Sequence, residues 1–336
     1  MNKLIGFGVL LILLALGACG GQGLQLTLID ASVQKPSNVA VYFTVDTADG
    51  EPVAGLEADS FRIYEDERLV SVHESKQTIL SPEVAAEHNT LLLVDMSGSV
   101  IESGDVPTII DAASAFGDRV GKYQRVAVYA FDGRPDIIRV SGFSNQASAL
   151  SRGVRGLERF RSEDSSTNLN GAVIEALREL DQQMSRGRAP LRFGTLVVFT
   201  DGTDRAARVT KEELYEVIDQ TEYEIFVIGV GAEIDEAELD AIGVSGTVMT
   251  KNRDEIASAF EEAAERIEAR SQRFYLLGYC SPARAGEHVV RIEAEDGGLS
   301  GSLTYDYDAE GFRGNCDPTK KPAFDVRRPR PVTPEE

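Results

Sequence analysis

The stretch Thr90-Leu-Leu-Leu-Val-Asp-Met-Ser-Gly-Ser99 decides the fold. It joins an unbroken apolar run, which ends at Val94, to a polar loop with one carboxylate and two hydroxyls. An apolar run of this length predicts a β-strand that is buried on both faces, as in a parallel sheet covered by helices. Such sheets bind their ligands outside the carboxyl ends of the strands, where this loop would lie.

The same pattern recurs over residues 89–270. Two further apolar strands, Arg125–Phe131 and Thr195–Phe199, alternate with stretches whose apolar residues return at helical spacing, such as Ile109–Val120. Ile137–Val140 is expected to be an antiparallel edge strand. Strands that alternate with helices predict the α/β class, with a doubly wound, mainly parallel sheet and helices on both of its faces.

Strand patterns without helices flank this domain on both sides. We expect the N-terminal strands, within residues 19–88, and the C-terminal strands, within residues 271–317, to complete one immunoglobulin-like β-sandwich. The α/β domain would then be inserted in the sandwich or flanked by it. Residues 318–336 contain mostly Pro, Lys, Arg and Glu and are predicted to form a disordered tail.

The first residues have the composition of an export signal. Lys3 precedes an apolar run that is too short to span ~30 Å of hydrocarbon comfortably, and the run ends in Leu16-Gly-Ala-Cys19. This ending resembles the bacterial lipobox. The resemblance implies that residues 1–18 are a signal peptide and that Cys19 is acylated. The chain would be exported and lipid-anchored to the cell envelope, with Gly20 favouring the outer membrane. The alternative is an ordinary signal peptide.

Export also affects the other two cysteines. An oxidising compartment favours disulfides, and acylation of Cys19 leaves Cys280 and Cys316 as the only possible partners. We therefore expect a disulfide between them, the alternative being two free thiols.

The charge balance excludes some classes of partner. The 336 residues include 55 Asp plus Glu against 34 Lys plus Arg, a formal net charge of −21. This charge repels phosphate backbones, so no nucleic-acid partner is expected. It also repels anionic lipid headgroups, so contact with a bilayer requires an anchor such as Cys19.

Three polar clusters fall at expected strand ends or just before a helix. They are Asp95-Met-Ser-Gly-Ser99, Ser165-Ser-Thr-Asn168 and Thr200-Asp-Gly202. Their oxygen ligands, without sulfur or imidazole, favour Mg²⁺, Mn²⁺ or Ca²⁺ over zinc. Because the hydroxyls are neutral, a bound cation would keep positive charge and attract an acidic group.

These clusters resemble the von Willebrand factor type A domain and its metal-ion-dependent adhesion site, over roughly residues 89–270. The resemblance implies a site that holds Mg²⁺, or Mn²⁺ or Ca²⁺, and binds a protein ligand through a carboxylate. In that family the hydroxyls ligate directly, and the aspartates ligate directly or through water. The implied metal ligands are Asp95, Ser97, Ser99, Thr167 and Asp201.

Two other functions remain open at this stage. The metal could only stabilise a structural envelope lipoprotein, or it could activate water in a hydrolase. Against an enzyme, the sequence has no nucleophile elbow, metalloprotease helix or phosphate-binding loop, and no histidine near the predicted site. The remaining acidic residues near the same edge are expected to be solvated loop residues; they are Asp132, Glu163, Asp164 and Asp204.

Overall fold

The computed structural model describes residues 23–231 and 234–325. The predicted signal peptide and Cys19 lie outside these ranges. No helix in the described ranges is long and apolar enough to cross a membrane.

The strands and helices of the described ranges alternate along most of the chain. The strands are β1 (Leu24–Gln34), β2 (Asn38–Thr47), β3 (Phe61–Glu65), β4 (Arg68–Leu69), β5 (Thr78–Leu80), β6 (Ala86–Asp95), β7 (Arg125–Phe131), β8 (Ile138–Ser144), β9 (Leu191–Thr200), β10 (Glu224–Val230), β11 (Gly246–Thr250), β12 (Phe274–Cys280), β13 (Glu287–Asp296) and β14 (Leu299–Asp308). The helices are α1 (Val72–Ser75), α2 (Gly98–Ser103), α3 (Val106–Val120), α4 (Ala147–Val154), α5 (Leu169–Arg186), α6 (Lys211–Gln220), α7 (Glu236–Ile242) and α8 (Ile256–Gln272).

A six-stranded sheet forms the centre of the α/β part, in the order β11-β10-β9-β6-β7-β8. The first five strands are parallel, and β8 pairs with β7 in the antiparallel direction at one edge. This mixed, mostly parallel sheet confirms the predicted α/β class, including the antiparallel edge strand.

The apolar run of β6 is buried on both faces. Leu91 and Leu93 belong to the core that includes Leu177 of α5, whereas Leu92 and Val94 belong to the core that includes Phe116 of α3. All four side chains of this run are fully buried. Burying a side chain of this size contributes about 1.5–3 kcal/mol, so helices on both faces hold β6, and the loop after it, in place.

Strands from both sides of the α/β part form two further sheets, in the orders β1-β2-β12-β5 and β14-β13-β3-β4. β12 follows the α/β part and pairs with β2, and β13 pairs with β3. The two sheets share an apolar core that contains Phe43, Phe61 and Tyr275, whose ring centroids lie 5.4–5.9 Å apart. The immunoglobulin-like topology stays a prediction.

The C-terminal segment is ordered further than the sequence suggests. A disulfide joins Cys280 at the end of β12 to Cys316, with Cα atoms 5.7 Å apart. Beyond it, Phe324 is buried against Tyr42, and the backbone N–H of Ala323 donates to Ser32 Oγ at 2.9 Å. The prediction of a disordered tail is therefore wrong for residues 318–325, because Phe324 gives them an apolar anchor. Residues 326–336 lie outside the described ranges.

The outer face of the β1-β2-β12-β5 sheet packs against the amino ends of the parallel strands. Tyr42 of β2 stacks on Phe193 near the start of β9, and Phe274 of β12 lies 5.0 Å from the same ring. His88 stacks on Phe193 at 4.8 Å, and its burial lowers its pKa to about 4. This aromatic junction leaves the carboxyl ends of the strands free at the other end of the sheet.

Candidate metal centre

Two neighbouring strands bring the first and last predicted ligands together. β6 ends at Asp95, and β9 ends at Thr200, one residue before Asp201. The strands pair in parallel up to Val94 opposite Phe199, so their ends lie side by side. The hydroxyl of Thr200 donates to Asp95 Oδ2 at 2.7 Å and ties the two ends together.

The loop after β6 folds back on its own aspartate. The backbone N–H of Ser97 donates to Asp95 Oδ1 at 2.9 Å, and the Oγ atoms of Ser97 and Ser99 lie 3.2 Å apart. Ser99 in turn donates to Asp201 Oδ1 at 2.8 Å. Four of the five predicted ligands are thus joined by one continuous series of hydrogen bonds.

Thr167, the fifth predicted ligand, lies on a loop that both of these segments contact. The N–H of Gly98 donates to the Ser165 carbonyl at 3.0 Å, and the N–H of Arg205 donates to the Thr167 carbonyl at 2.8 Å. Thr167 is buried, whereas the neighbouring Ser165 is exposed. The Ser166 hydroxyl donates to Asp164 Oδ1 at 2.7 Å. Of the three adjacent hydroxyls, Thr167 therefore suits the site best.

Negative charge is concentrated here with little solvent. Asp95 is 0% exposed and Asp201 is 8% exposed. Burial, together with the charge of Asp201, raises the pKa of Asp95 to about 6. Among the described residues no lysine, arginine or histidine forms an ion pair with Asp95. A buried carboxylate without a cationic partner is costly, so this position favours a bound cation.

The donor set fits a hard divalent cation. It offers two carboxylates and three hydroxyls, all oxygen, which suits Mg²⁺, Mn²⁺ or Ca²⁺. Within the described residues no group of three or more His, Cys, Asp or Glu side chains could hold a metal ion. When bound, the cation would supply positive charge. The two carboxylates would balance part of this charge, and the neutral hydroxyls would leave the rest available to an outside oxygen.

Asp132 differs from its expected role as a solvated residue. It follows β7, is 0% exposed and accepts from Arg134 Nε at 3.0 Å, from Ser162 Oγ at 3.2 Å and from the N–H of Glu163 at 3.2 Å. These donors lie on two separate loops and hold the carboxylate in the protein interior. The prediction that Asp132 is a solvated residue is wrong, because two of its three partners, Ser162 and Glu163, are distant in sequence.

The other acidic residues at this edge vary in environment. Glu163 is exposed, as expected. Asp164 pairs with Arg208 at 2.9 Å. Asp204 accepts from the N–H of Asn170 at 2.9 Å, which fixes the start of α5 beside Thr167.

Sequence reasoning missed Arg253. Its Nη2 lies 3.0 Å from Asp201 Oδ2, and its Nη1 lies 2.6 Å from Asp105 Oδ2, just before α3. Arg253 follows β11, whose carboxyl end lies at the same edge of the sheet as those of β6 and β9. The sequence signal for Arg253 is its position just after a strand, β11.

Three solved structures match this chain at low sequence identity. A von Willebrand factor type A protein from Catenulispora acidiphila is 11% identical, with 85% of this chain and 73% of that chain covered and a TM-score of 0.44. The ArnB paralog VWA2 from Sulfolobus acidocaldarius is 11% identical, with 86% and 76% covered and a TM-score of 0.43. The manganese-loaded TRAP protein of Plasmodium vivax is 13% identical, with 70% and 97% covered and a TM-score of 0.45.

A search of curated proteins gave no match. The family comparison is more direct, because the model of the von Willebrand factor type A domain matches residues 89–275, which is more than half of the chain. This range begins within β6 and ends within β12, so it contains β6 from Asn89 onward, the other five strands of the central sheet and every predicted metal ligand. The chain therefore belongs to the von Willebrand factor type A domain family.

Proposed function

We propose that this chain is a membrane-anchored protein that binds an acidic group of a protein ligand through a divalent cation. The cation, Mg²⁺ or else Mn²⁺ or Ca²⁺, would be held by Asp95, Ser97, Ser99, Thr167 and Asp201. The observation that carries the proposal is the hydrogen-bonded series from Asp95 through Ser97 and Ser99 to Asp201, at the open end of the sheet. A cation placed there has one side toward solvent, because Ser99 is exposed.

The choice of an acidic ligand follows from the donor set. Two carboxylates formally neutralise a divalent cation. Both carboxylates have other partners, however, because Asp95 accepts a hydrogen bond from Thr200 and Asp201 forms an ion pair with Arg253. Less of their negative charge is therefore available to the cation. The three hydroxyls add no charge. The cation would therefore attract an anionic oxygen more strongly than a neutral one.

A binding role is favoured over an enzymatic one. In a metal-assisted hydrolase a general base, most often a histidine, lies within hydrogen-bond reach of the attacking water. His88 lies at the aromatic junction, at the other end of β6, and His288 pairs with Asp66 beside β3. His73 belongs to α1, between the strands of the outer sheets. We therefore propose a non-catalytic site.

Anchoring by acylated Cys19 completes the proposal. The chain would then be attached to the cell envelope, with the outer membrane as the favoured location. The formal net charge of −21 makes adsorption to an anionic surface unfavourable, so release on Cys19→Ser would be complete. Fractionation of cells that express both forms tests this part independently of metal binding.

The metal site is tested by calorimetric titration of Mg²⁺ and Mn²⁺ into the full chain in detergent micelles. We expect one saturable site, lost in Asp95→Ala and Asp201→Ala. Thr167→Val should weaken binding about tenfold or more, whereas Ser166→Ala, whose hydroxyl bonds Asp164, should not. Circular dichroism would confirm folding. No binding up to millimolar metal in the folded wild-type protein would refute the proposal.

A second measurement separates ligand capture from a purely stabilising metal. In the Mn²⁺-loaded protein, water on the metal relaxes solvent protons, and acetate that displaces this water should reduce the effect. The expected reduction is saturable at millimolar acetate and absent with acetamide. If metal binds and raises the melting temperature but acetate changes nothing, the site is structural and the binding proposal is wrong.

A further inference from the structure

Arg253 places a permanent positive charge beside the metal centre. The guanidinium is bonded to Asp201 Oδ2 at 3.0 Å, while Ser99 donates to the other oxygen, Asp201 Oδ1, at 2.8 Å. The two oxygens of Asp201 therefore have different partners. The oxygen that faces the predicted hydroxyl ligands is free of the arginine, and the outer oxygen is held by it.

The arginine is itself held in place. It begins a 3₁₀ turn, Arg253–Glu255, where Asn252 accepts from the N–H of Asp254 at 3.1 Å. Its second terminal nitrogen donates to Asp105 Oδ2 at 2.6 Å. Two carboxylates from different loops thus fix one guanidinium, each through a different terminal nitrogen. Lysine, which has a single ammonium nitrogen, does not reproduce this planar geometry.

This arrangement has opposite consequences for the metal-free and the metal-bound site. Without metal, Arg253 balances the charge of Asp201 and so reduces its repulsion with the buried Asp95. With metal, the same positive charge lies one carboxylate away from a divalent cation and repels it.

We propose that Arg253 is a positioning residue of the metal centre, which orients Asp201 by its outer oxygen and lowers the affinity for the divalent ion. The inference rests on the proposed metal-binding function. Its consequence is that the centre requires a higher metal concentration than the same ligands would without the arginine. The bound cation also shares Asp201 with Arg253 and keeps more of its charge for an external carboxylate.

The test removes the positive charge of the Arg253–Asp105 ion pair in one variant and its negative charge in another. In the full chain in micelles, Arg253→Gln should tighten Mg²⁺ and Mn²⁺ binding roughly tenfold. Asp105→Asn removes a negative charge and frees Arg253 for Asp201 alone, so it should weaken binding about threefold or more. Because both variants break the same contact, a merely structural role would move both affinities in the same direction. Each variant tests the inference independently of the other.

Arg266→Gln is the matched control for net charge. Arg266 lies on α8, where it pairs with Glu262 at 2.6 Å and donates to the Thr247 carbonyl at 3.2 Å, both in exposed positions, so affinity should stay within about twofold of wild type. In EDTA, Arg253→Gln should also lower the melting temperature, and saturating Mg²⁺ should remove most of this difference.

The outcomes distinguish the two proposals. If the wild-type protein binds no metal, the proposed function fails. If the wild type binds metal but Arg253→Gln binds equally well or more weakly, only the role of Arg253 is refuted. The same holds if Arg253→Gln and Asp105→Asn change the affinity in the same direction.

Discussion

Replacing Asp95 by asparagine should stabilise the metal-free protein while abolishing metal binding. Asp95 is 0% exposed, and its carboxylate has hydrogen bonds but no ion pair among the described residues. Asparagine has the same shape, still accepts from the N–H of Ser97 and can donate to the Thr200 hydroxyl. The variant thus removes a buried charge without creating a cavity or an unsatisfied group.

The magnitude follows from the pKa of Asp95, which burial raises from 3.8 to about 6. In the metal-free protein the unfolded chain loses its proton at lower pH than the folded chain, so ionisation destabilises the fold as pH rises through this window. At 1.36 kcal/mol per pKa unit, the cost at pH 7.5 is about 3 kcal/mol. Asp95→Asn should therefore stabilise by about 3 kcal/mol at pH 7.5 and by about half that at pH 5.

The assay is urea unfolding in EDTA, followed by circular dichroism at 222 nm. The chain has no tryptophan, and among residues 23–231 and 234–325 the helices longer than one turn all belong to the α/β part, so this signal reports the relevant domain. Other titrating groups, such as His88, are present in both proteins and cancel in the difference. With saturating Mg²⁺ the order should reverse, because only the wild-type protein gains binding energy.

Asp132→Asn is the matched control. Asp132 is equally buried and also follows a strand of the same sheet, but it is paired with Arg134 at 3.0 Å. Removing its charge leaves Arg134 with the exposed Glu163 as its ion-pair partner and should destabilise the protein by about 1–3 kcal/mol. If Asp95→Asn destabilises the metal-free protein as Asp132→Asn does, the reasoning from buried, unpaired charge is wrong.

Three further predictions concern other parts of the chain. Gly98→Ala should weaken metal binding roughly tenfold by calorimetry, because its Cβ would lie 2.9 Å from the Ser165 Cβ and push the two loops apart. His88→Phe should remove a pH dependence of stability. Because the pKa of His88 is lowered to about 4 in the folded protein, the wild type loses about 2 kcal/mol of stability as the pH falls from 8 to 5. Replacing Cys280 and Cys316 by serine should destabilise the outer sheets by about 3–4 kcal/mol in urea, and an unchanged midpoint would contradict this.

The central sheet could be predicted from sequence because its signal is local. Leu91 to Val94 are apolar without interruption, and only a strand covered on both faces buries all of them. The position of Asp95 and Asp201 then follows from topology, since parallel strands end at the same edge. Neither step requires knowledge of a side-chain conformation.

The features that were missed depend on contacts between distant residues. Asp132 accepts from Ser162 and from the N–H of Glu163, which lie 30 and 31 residues away, and nothing in the sequence around Asp132 specifies that pairing. Phe324 is a lone aromatic residue in a polar segment, and its burial depends on a contact with Tyr42, which is far away in the sequence. Arg253 lies 52 residues from Asp201, on a turn whose direction is set by tertiary packing.

The two ends of the parallel strands serve different purposes in this arrangement. Their amino ends are covered by the outer sheets through Tyr42, Phe193 and Phe274, while their carboxyl ends carry the proposed metal centre. β6 has ten residues, so these ends are separated by roughly 33 Å. The five residue steps from Cys19 to Leu24 reach at most about 18 Å. If Cys19 carries the lipid, the outer sheets are held closest to the bilayer and the metal centre has room for a protein ligand.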